Sequence, residues 1–154
     1  MKSPILDNLC DLTSKSLNAL EILLSHAIAH VRNYALVDGK VSSSKLEEHQ
    51  FETHGLAWIA TYIESLRQMH YWTDIAIKNN KFGELEKLIL QISFGEFLNQ
   101  IQNGIPMSQT EFARLKDMDL PESVITDFLI SEVEVLSKFG NTQLARQYLV
   151  KLMR

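Results

Sequence analysis

The residues best equipped for chemistry are the imidazoles. His26 and His30 stand four apart, so both rings project from one flank of a helix, a spacing that can chelate a transition metal. Such a site needs a third ligand and usually a carboxylate behind it, and no acidic residue lies between Glu21 and Asp38. Two ordinary histidines on a helix flank are therefore the favoured reading. His54 shares a helical line with Trp58. It reads as a partly buried ring bonded to a neighbour, because proton transfer would call for a nearby acid or nucleophile that the sequence does not supply. The alternative is a stand-alone helical protein with a metal or small-molecule site built from His26, His30 and His54, which requires all three rings to converge on one pocket. No Glu is followed three residues later by His, and His49 and His54 are five apart. Neither the Glu-x-x-His pairs of two-metal bundles nor a His-Glu-x-x-His motif is present.

Other candidates weaken on inspection. Asp11 next to Cys10 disfavours a thiolate. Gly104 to Ser108 reads as a loop entering a helix, and a helix N-terminus can hold an anion, but Ser108 and Glu111 occupy that position and Glu111 repels phosphate. Trp58, Tyr62 and Trp72 resemble a base-stacking set without interleaved cations, since Arg67 faces away, and they read as core packing. Tyr71 and Ile75, four apart on the otherwise polar side of the same helix, are a candidate partner interface. No catalytic or cofactor-binding residue emerges.

These residues must be positioned by helices. The chain shows no period-2 segments and no hairpin dipeptides between apolar runs, and its pattern is helical throughout. The first helix is expected to open with Ser3 as cap and Pro4 at the first helical position, to bury Leu17, Leu20, Leu24, Ile28 and Val31, and to end at Asp38-Gly39. A second opens in Ser42-Ser43-Ser44, with Ser44 and Glu47 at capping-box spacing, and runs to about residue 79. That is roughly 35 residues, long for a globular domain. His54, Trp58, Tyr62, Met69 and Trp72 fall on one line of it, and Ile59, Ile63, Leu66 and His70 on the next. Such a wide apolar surface belongs at the centre, touching several partners. The third helix spans about 82–102, stopped by Asn103-Gly104 and Pro106. Ser108 and Glu111 then predict a short helix to Lys116, Pro121 begins another that lasts to Phe139, and a last one opens at Asn141 or Thr142. Gly55 and Gly95 sit inside helices at a cost of about 0.8–1 kcal/mol each, which predicts close helix crossings there. The expected fold is an all-α bundle of about five to six helices, with one long central helix over about 44–79, in a single domain over 1–154.

Composition sets the outer limits. The chain has 154 residues, 45% apolar and 22% charged, which is ordinary for one globular domain. Fifteen Lys and Arg against 19 Asp and Glu give a net charge of −4, against the basic face of a nucleic-acid module. The longest apolar run, Leu56 to Ala60, is far short of the ~18 residues of a membrane span, and no apolar stretch of a signal peptide follows Met1-Lys2-Ser3-Pro4. The single cysteine fits a reducing cytoplasm. No membrane or nucleic-acid partner is expected.

Four segments carry a family resemblance: His54 to Met69 (HGLAWIATYIESLRQM), Gly83 to Ile101, Gly104 to Phe112, and Gly140-Asn141-Thr142 with Arg146. Together they resemble the helical N-terminal extension of a subgroup of bacterial acyl-CoA dehydrogenase-like flavoproteins. The resemblance implies that the dehydrogenase domains follow this chain in one polypeptide, bind FAD, and oxidise an acyl-CoA thioester at the α and β carbons. It places no catalytic glutamate or flavin site on these residues. It implies a domain that docks against the dehydrogenase core, self-associates as a homo-oligomer, or does both.

Overall fold

The computed structural model describes residues 3–154; Met1 and Lys2, the start of the segment read for a signal peptide, lie outside the described residues. Seven α-helices and two short ribbons make up the described chain. Helix α1 is Leu9–Ala35, followed by the ribbon β1 (Leu36–Val37) and β2 (Lys40–Val41). Next come α2 (Ser43–Glu48), α3 (Gln50–Lys78) and α4 (Glu84–Asn103). A second ribbon, β3 (Ile105–Pro106) with β4 (Phe112–Ala113), and a 3₁₀ turn at Leu115–Met118 lead to α5 (Glu122–Phe128), α6 (Ser131–Phe139) and α7 (Gln143–Leu152). The all-α bundle expected from the sequence is the fold observed.

Helices α1, α3 and α4 form the middle of the bundle. Helix α3 packs on α1, α4, β4 and the 3₁₀ turn, while α6 packs on α4 and α1. Leu20, Leu23, Ile59, Ile63, Leu66, Phe94 and Leu98 meet in the centre, all at most 1% exposed. At ~1.5–3 kcal/mol for each fully buried large apolar side chain, this cluster dominates the stability. The core line of α3 is the predicted Ile59–Ile63–Leu66 line. The neighbouring line of Trp58, Tyr62, Met69 and Trp72 is only half-buried, and His54 is exposed.

The boundaries depart from expectation where side chains outcompete helix propensity. Helix α1 does not open at Ser3-Pro4. Residues 3–6 form no regular element, and Asn8 stands at the cap position in the left-handed region (φ 55°). The backbone there bonds to Gln91 of α4 instead: the Leu6 N–H donates to Gln91 Oε1 (2.7 Å), and Gln91 Nε2 donates to the Pro4 carbonyl (3.1 Å). Within α1 the buried stripe uses Ser16, Ala19 and Ala27 beside Leu20 and Val31, and Ile28 is exposed. Small side chains let α1 approach its neighbours more closely than the leucine stripe alone would.

Asp38-Gly39 does more than end α1. With φ of +50° and +75° these two residues form the tight turn of a hairpin, so the reading of a chain without hairpin dipeptides is corrected. The long helix also breaks. Ser42, not Ser44, caps α2, its Oγ accepting from Lys45 N–H (3.4 Å), and His49 (φ −116°, ψ 44°) separates α2 from α3. The His49 ring lies on Tyr34, centroids 4.0 Å apart. Ser108 and Glu111 cap no helix. They close the turn between β3 and β4, where the Met107 N–H donates to the Glu111 carbonyl (2.9 Å). The helix expected from Pro121 to Phe139 bends at Leu129-Ile130, which allows Phe128, Val133 and Leu136 all to be buried. The last helix opens as expected, with Thr142 Oγ1 accepting from Ala145 N–H (3.2 Å).

Candidate functional site

A half-exposed aromatic and polar band runs along α3 and continues onto α4 and α7. Phe51, His54, Trp58 and Tyr62 recur at helical spacing on one side of α3. Trp58 Nε1 donates to His54 Nε2 (3.0 Å). The Trp58 ring meets Tyr62 edge-on at 6.5 Å, and Tyr62 lies against Phe97 of α4 at 4.6 Å. The Tyr62 hydroxyl donates to Gln100 Oε1 (2.5 Å), and Gln100 Nε2 donates to Glu96 Oε1 (2.6 Å). The other Glu96 oxygen accepts from Asn141 Nδ2 and lies 3.8 Å from Arg146 Nη2. Arg146 Nε closes the set by donating to Asn141 Oδ1 (2.6 Å). Side chains of α3, α4 and α7, with Asn141 just before α7, are thus linked by hydrogen bonds from Tyr62 to Arg146, and the His54–Trp58 pair joins the row through the edge-on Trp58–Tyr62 contact. Each of these polar side chains has a hydrogen-bond partner within the band, which fixes the band's shape.

At its Phe51 end the band opens into a groove of about 680 Å³ between α3 and the β3–β4 ribbon, bordered by His54, Met107, Phe112 and Met118. Phe51 is 80% exposed and Phe112 40%, and the Arg114 guanidinium lies over the Phe112 ring at 5.0 Å. Glu52, Glu111 and Asp117 also line this groove.

The three imidazoles of the metal reading do not share a cavity. His26 is exposed and lines a different groove, of about 560 Å³, between α1 and α5. His30 meets Tyr34 edge-on at 5.8 Å, with Asp119 Oδ2 3.9 Å from its Nε2. His54 belongs to the band. The convergence which that alternative required is therefore contradicted: α1 carries His26 towards α5, whereas the stretch after the 3₁₀ turn faces His30. Among the described residues no three His, Cys, Asp or Glu side chains gather in a metal-binding group. Cys10 is exposed. Tyr71 (63% exposed) and Ile75 (40%) stand on the solvent side of α3, as expected of their positions. Sequence reasoning missed Phe51, Glu96, Gln100 and Phe112 as site residues. Nothing in their local pattern marks them, because they matter only once α3, α4 and the β3–β4 ribbon are brought together.

Two phenols report on this arrangement. Burial, with a smaller contribution from Glu96, raises the Tyr62 pKa above the ordinary tyrosine value. Burial, followed by the charges of Glu52 and Asp119, does the same for Tyr34, whose hydroxyl is enclosed without a hydrogen-bond partner among the described residues. A raised acid pKa in the folded state means stability that is kept below about pH 10 and lost as pH rises through the folded values. In a titration followed at 295 nm, Tyr34→Phe and Tyr62→Phe should each remove a late-ionising component. If both variants retain the wild-type curve, these rings are not in the described environments.

No family model matches the chain. Over 151 residues it is 47% identical to the (2S)-methylsuccinyl-CoA dehydrogenase of Cereibacter sphaeroides, an alignment that covers 98% of this chain and 27% of that protein. The chain thus spans about a quarter of the length of the curated relative it matches. It is a helical chain related to part of an acyl-CoA dehydrogenase.

Proposed function

We propose that this chain is the N-terminal helical accessory domain of an acyl-CoA dehydrogenase-like flavoprotein and that its role is docking or self-association rather than catalysis. The observation that carries the reading is the match along 98% of the chain to 27% of a dehydrogenase. Its geometry agrees: the surface offers rigid aromatic and apolar contacts, the composition favoured in protein interfaces. Tyr71 and Ile75 add an exposed pair on the opposite side of α3, which we assign to partner contact.

The reaction and its FAD are assigned to the remainder of such a polypeptide, acting in the cytoplasm. The two grooves described above do not suit a flavin dinucleotide. Glu52, Glu111 and Asp117 around one groove repel a pyrophosphate. In the other groove Lys15 is already paired with Asp11 and Glu132. Among the described residues no helix is long and apolar enough to cross a membrane.

The test is direct. The purified chain should be colourless, with no flavin band near 450 nm and no acyl-CoA oxidation. In place of the matching segment of the Cereibacter sphaeroides enzyme, it should support a flavin-loaded, active chimera. A yellow, turnover-competent preparation of the chain alone would refute the accessory role, as would a chimera unaffected by deleting the chain altogether.

A further inference from the structure

The reading above leaves open which face meets the dehydrogenase domains. We propose that the band from Phe51 through Trp58 and Tyr62 to Arg146 is the seat of those domains within the same polypeptide; the inference rests on the accessory-domain reading.

Four observations support it. First, the relative carries nearly three quarters of its length outside the matched region, so in that protein a large partner for the matched segment lies on the same polypeptide. Second, the band is pre-organised. Every polar group in it is held by another, from Trp58 on His54 to Arg146 on Asn141, so little side-chain freedom is left to lose on docking. Third, it concentrates Trp, Tyr and Arg, the residue types that dominate binding energy when a partner excludes water from them. Fourth, it is continuous with the most exposed large apolar side chain, Phe51, and with the Phe112 rim of the adjoining groove. The α1–α5 groove competes less well, because Ser14, Lys15, Asn18 and Asp127 break up its apolar wall.

The charge pattern fits a covered face too. Glu96 and Arg146 lie 3.8 Å apart and share Asn141, so the band brings no unpaired charge of its own into an interface, where an uncompensated charge is costly.

The experiment compares hydroxyl-radical labelling of side chains in the isolated chain with labelling of the same chain built into the Cereibacter sphaeroides dehydrogenase in place of the matching segment. Phe51, Trp58 and Tyr62 are expected to label about fivefold more slowly in the chimera, as for residues enclosed at the centre of an interface, while exposed Ile22 is unchanged. Replacing Phe51 and Trp58 together by alanine, with the core intact, is expected to restore labelling of Tyr62 in the chimera. A flavin-loaded, active chimera in which the band labels as in the isolated chain, with protection at Tyr71 or Ile22 instead, overturns this location and leaves the accessory role standing. A chimera without flavin and without added protection anywhere overturns both. Protection of the band in the isolated chain on raising its concentration would assign the face to a second copy and likewise overturn the proposal.

Discussion

Gly95→Ala should lower the melting midpoint by roughly 4–8 °C, a large effect for a single added methyl group. A Cβ built on Gly95 lies 2.7 Å from the Asn141 backbone nitrogen and 2.8–2.9 Å from the carbonyl carbon and Cα of Gly140. These are backbone atoms at the corner between α6 and α7, so no side chain can turn away to make room. Gly140 is equally confined: its own Cβ would meet the Leu136 carbonyl oxygen at 2.5 Å and the Gly95 Cα at 2.9 Å. Relief requires moving α4 away from the whole corner. Overpacking of this kind costs about 3 kcal/mol, towards the upper end of the usual range, and outweighs the ~1 kcal/mol that alanine contributes inside a helix. At ~2–4 °C per kcal/mol for a chain of this size, the loss should be plain in a thermal melt. Gly55→Ala is the matched control. Its Cβ meets the Met118 side chain, Cγ at 3.2 Å and Sδ at 3.4 Å, and methionine is flexible enough to shift. That variant should stay within about 1 kcal/mol of the parent, its propensity gain offset by the Met118 adjustment. If both substitutions raise the midpoint, close packing is the wrong account of both glycines.

These two glycines show where the sequence was legible and where it was not. A glycine inside a helical pattern costs stability, so its presence signals a close approach, and at Gly95 the approach is backbone against backbone. The signal does not say what approaches. At Gly55 the neighbour is Met118, from a 3₁₀ turn that lies at and just beyond the end of the short helix expected to run to Lys116. The Ile59–Ile63–Leu66 line and the Thr142 cap were readable because period and capping are local properties. The break at His49, the bend at Leu129-Ile130 and the start of α1 were not, because each is set by a partner distant in sequence or by a burial requirement. His49 lies on Tyr34, Phe128 must reach the core, and the first residues are held by Gln91. The band had the same fate. Its aromatic line was visible, but its Gln100–Glu96–Asn141–Arg146 continuation exists only after α4 and α7 pack together. The line itself was expected in the core, whereas the structure leaves it half-buried, because the adjacent isoleucine and leucine line takes the inward position.

Gln91 should prove the most sensitive polar residue. It is fully buried in α4, and its amide is shared among three backbone groups: Oε1 accepts from the Leu6 N–H, and Nε2 donates to the carbonyls of Pro4 (3.1 Å) and Gly140 (3.1 Å). One side chain therefore fastens the N-terminal segment and the α6–α7 corner to the same turn of α4, one turn away from Gly95. Gln91→Leu keeps the bulk and strands all three groups. A buried group left without a partner costs ~1–3 kcal/mol. Only the Gly140 bond is fully buried, so the total should come to about 3 kcal/mol, with the Leu6 amide exchanging at least about tenfold faster as its segment opens locally. Gln91→Glu separates this account from a simple loss of packing. An ionised carboxylate would face two carbonyl oxygens, whereas a protonated one can still donate to one of them. The carboxyl pKa of that variant is therefore raised in the folded state above the ordinary ~4.3 of glutamate. Its deficit relative to the parent should be smallest near pH 4 and grow as pH rises through the raised value. Urea midpoints of parent and variant, measured in parallel from pH 4 to 8, give the difference directly. A deficit that stays flat across that window, or a Leu6 amide that exchanges no faster in Gln91→Leu, would mean that the N-terminal segment and the helix corner are held by something other than this amide.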